Sequence, residues 1–432
     1  MTPLGVLRRR LSSVRWRTRI TLWAAATLAG LLVVMFARLA DLALATFAGI
    51  SAGRPWLPFV LTPALGMLVV WLTTRYFAGS QGSGIPQVIA ATRLAQQHKP
   101  IGHLVSLRIA AGKIGLGCMA LLGGFSAGRE GPSVQVAASV MHYFHRWLPH
   151  ARIIRAPDLI LAGGAAGIAA AFNTPLAGIA FAVEELGRKL ETRTSGVLLS
   201  TIILSGMVAI GLQGNYNYFG QLNAQDGHWQ VVWLVLGAGV GCGLLGGLFS
   251  RLLLWPQRRP ELALWRWRRA RPVWFAGACG LLVALLGWLS GGMSFGSGYG
   301  ITAQMVNSGA DLPWHAALAR FLATAVTYFS GIPGGIFAPS LAVGAAVGAN
   351  VAHWAGLGSQ ALPVVALCMV GFLAAVTQSP ITSAIIVMEM IDSHGMVISL
   401  LAAALIARAV SSRLGPELYQ QLAHGFIKAP PP

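Results

Sequence analysis

Residues 321–388 contain no Asp, Glu, Lys or Arg, and similar uncharged runs cover residues 229–250 and 273–310. A helix of about 20 apolar residues crosses the hydrocarbon core of a bilayer. The first of these runs is therefore long enough for more than one crossing, and the pattern predicts an all-α integral membrane protein that spans the bilayer many times. Glycine and proline interrupt the apolar pattern at residues 82–86, 128–132, 173–175, 331–339 and 379–380. Non-helical backbone at membrane depth survives only where protein buries it or a wet cavity receives it. Such repeated breaks imply an internal site rather than a plain bundle of helices.

The breaks recur along the chain. Gly128, Pro132, Ser133, Val136, Ala138 and Val140 match Gly335, Pro339, Ser340, Val343, Ala345 and Val347 at an offset of 207 residues, and Ala169, Ala170, Pro175 and Glu184 match Ala374, Ala375, Pro380 and Glu389 at an offset of 205. Two matches at nearly one offset point to an internal duplication. Interrupted helices at corresponding positions of two halves mark a transporter's binding site at the interface between those halves. The expected organisation is a basic cytoplasmic segment at 1–18 and a single membrane domain at 19–425. Its halves lie at about 19–215 and 229–425, and 426–432 forms a short tail with no soluble regulatory domain.

Composition supports the membrane reading: 55% of residues are hydrophobic and 10% charged, against about 25% charged in soluble domains. The formal charge of +19 raises the question of nucleic acid, but its distribution argues against that partner. Basic residues gather before the first span (Arg8, Arg9, Arg10, Arg15, Arg17, Arg19) and in residues 251–271. Flanking apolar spans as they do, they read as cytoplasmic anchors with some attraction for anionic lipid. Cys118, Cys242, Cys279 and Cys368 stand apart without a CxxC pair and read as packing residues rather than disulfide or metal ligands. No metal or cofactor is expected.

The chemistry follows from the breaks. Each motif is followed by a restarting helix, and a helix N-terminus exposes unpaired N–H groups and about half a positive charge. Several such ends directed at one point would bind an anion without the full charge of a buried Lys or Arg, which would hold it too tightly to release. Pro86, Pro132 and Pro339 fall where a first helical turn accepts proline, and the glycines beside them let backbone amides approach the ion. Glu130 sets a carboxylate at one of these ends, where carboxylate and anion compete and protonation releases the carboxylate. That is a proton-coupled gate; the alternative is a charge that only complements the helix dipole. Glu184 and Glu185 admit a second reading as a helix end paired with Arg188 and Lys189. Glu389 and Asp392, at the duplicate position, read as structural, and the buried Lys113 needs Glu130 or a backbone carbonyl as partner.

Taken in order, Gly82–Pro86 (GSGIP), Gly128–Pro132 (GREGP), Gly334–Pro339 (GGIFAP) and the late Tyr419 resemble the CLC family of chloride channels and transporters, and the resemblance extends over about residues 19–425. It implies an antiparallel two-half helical fold with many broken and tilted helices, assembled as a homodimer with one pore per subunit in a bacterial-type inner membrane. It implies chloride ions and protons as the transported species. In this resemblance the Ser83 hydroxyl and the Tyr419 phenol contact the central chloride, and Ile336 and Phe337 offer it backbone amides. Gly82, Gly84, Gly128, Arg129, Gly131 and Gly335 supply the surrounding backbone. Glu130 corresponds to the outer gating glutamate and Glu185 to the inner glutamate that hands protons to the cytoplasm. Family members that exchange ions usually keep an acid at that inner position, whereas channels do not, so Glu185 favours chloride/proton antiport over passive conduction. Ser83 and Tyr419 favour chloride over fluoride, and Ser83 favours it over nitrate, since nitrate-preferring relatives carry proline there.

Two other motifs lead elsewhere. Residues 124–128 spell GxSxG, but an intramembrane serine hydrolase would need a strand before the serine and His and Asp partners. Residues 241–246 spell GxGxxG inside an apolar span with no preceding strand. Together with Gly237, Gly239 and Gly247 they form overlapping GxxxG spacings, which mark close helix contact within or between subunits.

Overall fold

The computed structural model of the protein describes residues 3–148, 154–187, 195–214, 230–308, 313–358 and 361–428. The first half contains α1 (Pro3–Ser51), α2 (Pro58–Tyr76), α3 (Ile85–Gln96), α4 (Leu107–Leu122), α5 (Glu130–Phe144), α6 (Ala156–Phe172), α7 (Pro175–Phe181) and α8 (Ser195–Gln213). The second contains α9 (Gln230–Leu253), α10 (Trp255–Arg258), α11 (Ala263–Ala270), α12 (Pro272–Leu289), α13 (Tyr299–Ser308), α14 (Trp314–Ser330), α15 (Phe337–Trp354), α16 (Ala361–Thr377), α17 (Pro380–Ile391), α18 (Val397–Leu414) and α19 (Leu418–Lys428). The segment joining the halves falls outside the described residues. Six helical stretches are long and apolar enough to cross a membrane by length and composition: Trp16–Ser51, Pro58–Tyr76, Gly196–Gln213, Val231–Leu253, Pro272–Leu289 and His394–Leu414. The all-α, multi-pass expectation holds. Among the described residues the only extended pairing is two isolated bridges.

Packing repeats as the sequence does. α5 lies on α6 as α15 lies on α16; α6 meets α8 as α16 meets α18; α1 covers α8 as α9 covers α18. α6 and α16 are apolar around most of their circumference and almost wholly buried, as helices encased by others must be. The halves run in opposite senses. α1 carries Arg17 and Arg19 near its start, whereas its counterpart α9 carries Arg251 in its last turn. With basic ends on one side of the membrane, α1 leaves that inner side and α9 returns to it.

The glycine spacing in α9 is explained within the subunit. A methyl on Gly239 would come 2.8 Å from Ile406, one on Gly243 2.9 Å from Val410 and one on Gly247 2.7 Å from Leu414. These glycines seat α18 against α9, while Gly237 and Gly241 have nothing within 4 Å. Cys242 of α9 and Cys368 of α16, 126 residues apart, meet thiol to thiol; all four cysteines are free.

A reciprocal contact joins the halves. Glu184 accepts hydrogen bonds from the N–H groups of Ile381 (3.2 Å) and Thr382 (2.7 Å) at the start of α17. Its duplicate Glu389 accepts from Leu176 (3.3 Å) and Ala177 (2.8 Å) at the start of α7. Each half supplies the carboxylate that satisfies the other's orphan amides, as a two-fold relation between the halves requires.

Candidate functional site

The sequence motifs converge because main-chain bonds tie their loops together. Gly82 N–H donates to Ile332 O (3.0 Å) and Gly334 N–H to Gly82 O (3.0 Å), while Gly128 and Gly335 exchange two bonds of 2.7 Å. These pairings bring the starts of α3, α5 and α15 side by side, and α19 packs on α3. Glycine is required where the loops touch. A methyl on Gly131 would stand 2.4 Å from Ser83 Oγ, and Gly84 holds a φ of 100° while facing Gly131 O.

The lead-in to α3 is braced from behind. Lys113 of α4 is completely buried, and its Nζ donates to the carbonyls of Ser80 and Gly82 at 2.7 Å each. Of the two partners open to it in the sequence, carbonyls are the ones it has. Gln87, which sequence reasoning missed, accepts from Gly84 N–H through Oε1 (3.1 Å) and donates to Gln81 O through Nε2 (2.5 Å). Gln135 bridges the carbonyls of Gly79 and Leu104. Removing Lys113 strands two buried carbonyls behind the site, each at a cost of about 1–3 kcal/mol. Lys113→Met is expected to unfold at lower temperature in detergent and to bind chloride more weakly by calorimetry; unchanged values in both would remove its bracing role.

At the convergence, Ser83 and Tyr419 are buried, and neither Ser83 Oγ nor the Tyr419 hydroxyl has a well-formed protein hydrogen bond. The two lie close enough to interact, and the phenol is within electrostatic reach of both Glu130 and Glu185. Tyr419 is positioned by its ring, stacked on Phe337 with centroids 5.9 Å apart and planes 7° from parallel. Phe172 and Phe181 flank that ring. Ile336 and Phe337 open α15, where N–H groups have no intrahelical acceptor. Buried polar groups normally find partners, so orphaned hydroxyls beside helix N-termini describe a place for a small anion.

The carboxylates stand on either side. Glu130, fully buried, opens α5, and a methyl on Gly128 would sit 2.2 Å from its Oε2 and 3.2 Å from Pro339. Its carboxylate therefore fills the gap between Gly128 and the first turn of α15. The Arg129 guanidinium turns away to α1, pairing with Asp41 (2.5 Å) and donating to Ala37 O (2.6 Å), so only the Arg129 backbone belongs to the site. Asp41 lies toward the outer end of α1, which puts Glu130 on the outer side.

Glu185 is buried in a π-helical turn, Ala182–Gly187, continuing α7. π turns alter which residues face inward and recur at functional sites. Here adjacent glutamates part company: Glu184 caps α17, while Glu185 Oε2 accepts a 2.5 Å bond from Ser379 Oγ. Glu185 O accepts from Gln420 (3.1 Å), whose side-chain oxygen accepts from Arg93. Ser379 also lines a polar cavity of about 260 Å³ together with Glu184, Arg408 and Glu417. The break at 379–380 marked Ser379 as a helix start without giving it a role, and Gln420 carried no signal in the sequence; each is recognisable only by what it meets.

The serine of GxSxG is structural. Ser126 Oγ hydrogen-bonds Thr324 Oγ1 (2.9 Å) and its N–H donates to Thr327 Oγ1 (3.1 Å). Hydroxyls stand where a hydrolase needs a base.

Broken helices from two inverted halves, meeting at orphaned hydroxyls and flanked by buried carboxylates, define an ion-transport membrane fold. Residues 65–412 match the voltage-gated chloride channel family, and the chain belongs to that family. It is similar to the H(+)/Cl(-) exchange transporter ClcA of Cronobacter sakazakii, 32% identical over 386 residues that cover 84% of this chain and 78% of the relative. The Yersinia pseudotuberculosis ClcA is 30% identical over 417 residues, covering 89% and 82%. Among solved structures, a slow cyanobacterial Cl-/H+ antiporter superposes with a TM-score of 0.81 at 24% identity, covering 95% of this chain and 98% of that one. A CLC-type fluoride/proton antiporter gives 0.78 at 23% identity, with 93% and 96% covered. The expected CLC-type fold is borne out.

Proposed function

We propose that the protein exchanges chloride for protons across a bilayer, working as a homodimer in a bacterial-type inner membrane. The observation that carries this reading is the pair of buried carboxylates, Glu130 outward and Glu185 inward, flanking the anion position at Ser83 and Tyr419. Relatives named as H(+)/Cl(-) exchange transporters support it. Chloride at the convergence is held by the Ser83 and Tyr419 hydroxyls and by the opening amides of α15. When Glu130 takes a proton it leaves the positive end of α5, and a chloride ion takes its place. Protons reach Glu130 from the inner side by way of Glu185, which the Ser379 hydroxyl links to a polar cavity. Exposed apolar residues of α8 and α18, Ile203, Met207 and Leu405, are those that lipid or a second subunit would cover.

Reversal potentials in proteoliposomes under a chloride gradient test the exchange. A pH gradient imposed on the same vesicles shifts the potential of an exchanger and leaves that of a chloride channel unchanged. The Ser83 assignment is tested separately. Ser83→Pro removes a hydroxyl whose bond to a charged group is worth about 1.5–3 kcal/mol. It is expected to move chloride-over-nitrate preference by about tenfold or more toward nitrate. Unaltered relative permeabilities would take Ser83 out of the site.

A further inference from the structure

Glu185 is held at two points, one on its side chain and one on its main chain. Ser379 Oγ donates to a carboxylate oxygen. The Glu185 carbonyl lies in a turn that ends at Gly187, and the last carbonyls of a helix have no intrahelical donor. Gln420 Nε2 supplies one at 3.1 Å. Gln420 is itself buried, and its Oε1 accepts a hydrogen bond from Nη2 of Arg93. Arg93 is half-buried in the last turn of α3.

Chemistry fixes the direction of this chain of bonds. A guanidinium only donates and a carbonyl only accepts. A side chain that bridges them must offer an acceptor to one and a donor to the other. A carboxamide does so; an ionised carboxylate or an aliphatic side chain cannot. Arg93 therefore sets which way the Gln420 amide points, and the amide N–H holds the Glu185 turn. The same two helices frame the anion position. Ser83 leads into α3, Tyr419 precedes Gln420 in the first turn of α19, and α19 packs on α3. Adjacent residues thus serve two places, with the Tyr419 hydroxyl at the anion position and the Gln420 amide at the Glu185 turn.

We infer that Gln420, oriented by Arg93, is a positioning residue for proton transfer through Glu185. The inference rests on the exchange reading above. Gln420 acts through Glu185 rather than on an ion itself. It keeps the turn in the place where the Glu185 carboxylate meets the Ser379 hydroxyl and lies within electrostatic reach of the Tyr419 phenol. Transfer rates fall steeply when a reacting group leaves its productive position. Without the bridge the buried carbonyl loses its donor, and the turn relaxes to find another. Chloride keeps its contacts, because Ser83, Tyr419 and the opening amides of α15 are untouched.

The test measures proton and chloride movement together in the same proteoliposomes. Gln420→Leu and Arg93→Leu are each expected to lower the protons moved per chloride by about three- to tenfold, the range that loss of one hydrogen bond supports. The double variant falls no further than the worse single one, since both break one chain of bonds. Arg93→Lys, which still donates, restores most of the ratio. Calorimetric chloride binding is preserved, because no contact to the anion position is removed. A wild-type ratio in Gln420→Leu would overturn the inference. So would proton and chloride movement that fall in step, which would mark a packing role. Losses that add in the double variant would separate Arg93 from Gln420 and refute the bridge. Should Gln420→Leu fail to fold, Arg93→Leu, altered at the half-buried far end, decides in its place. Wild-type protein that moves no protons overturns the exchange reading itself, before any variant is compared.

Discussion

Glu130→Ala protein in liposomes is expected to pass chloride down its gradient while proton movement falls to the leak of empty vesicles. The side chain occupies the gap between Gly128 and the first turn of α15, at the positive end of α5. No acidic residue among the described residues stands at the start of α3 or α15. Alanine removes the group that carries the proton and leaves its position to a second chloride. The fold should persist, because a carboxylate at a helix N-terminus contributes about 0.3–1 kcal/mol against the burial of the whole helix. A pH electrode in weakly buffered external medium reads the outcome. Uphill proton uptake driven by a chloride gradient in this variant would refute Glu130 as the gate.

The second large effect separates adjacent residues. Glu185→Gln is expected to lose proton transport while keeping chloride flux and calorimetric chloride binding. Glutamine retains an oxygen to accept the Ser379 hydrogen bond and keeps the size of the side chain, so titration is what disappears. Glu184→Gln should do the converse, leaving coupling intact and lowering thermal stability. Its carboxylate bonds two amides of α17, and hydrogen bonds to a charged group are worth about 1.5–3 kcal/mol each. Coupling lost in the Glu184 variant and kept in the Glu185 variant would reverse their roles. Wild-type protein that moves no protons at all would make the molecule a channel and Glu185 a structural acid.

Much of this was legible in the sequence because it is local. Charge-free runs, glycine and proline breaks and a repeated offset announce a duplicated membrane protein with helix starts at the centre, and Ser83, Glu130 and Tyr419 stand out by motif. Partners were harder to read, because they depend on contacts across the chain. Lys113 needed a partner, but nothing in its neighbourhood distinguishes Glu130 from the carbonyls of Ser80 and Gly82. The GxxxG stripe of α9 announces close packing without saying against what, and the answer, α18, lies more than 150 residues on. Glu184 and Glu389 were matched as duplicates, yet the matching alone does not reveal that each completes the other's helix.

The reciprocal caps have a consequence for biogenesis. A chain that has been inserted only as far as α8 contains α7 with the amides of Leu176 and Ala177 still lacking the carboxylate that meets them, since Glu389 lies more than 200 residues downstream. Unmet backbone amides are costly where water is excluded, so a first half without α17 lacks the partner that completes its own helix start. The same geometry describes how one half could have lived alone: two copies inserted in opposite orientations would each lend the other its glutamate. Fusing such a pair into one polypeptide keeps both exchanges and fixes the partner.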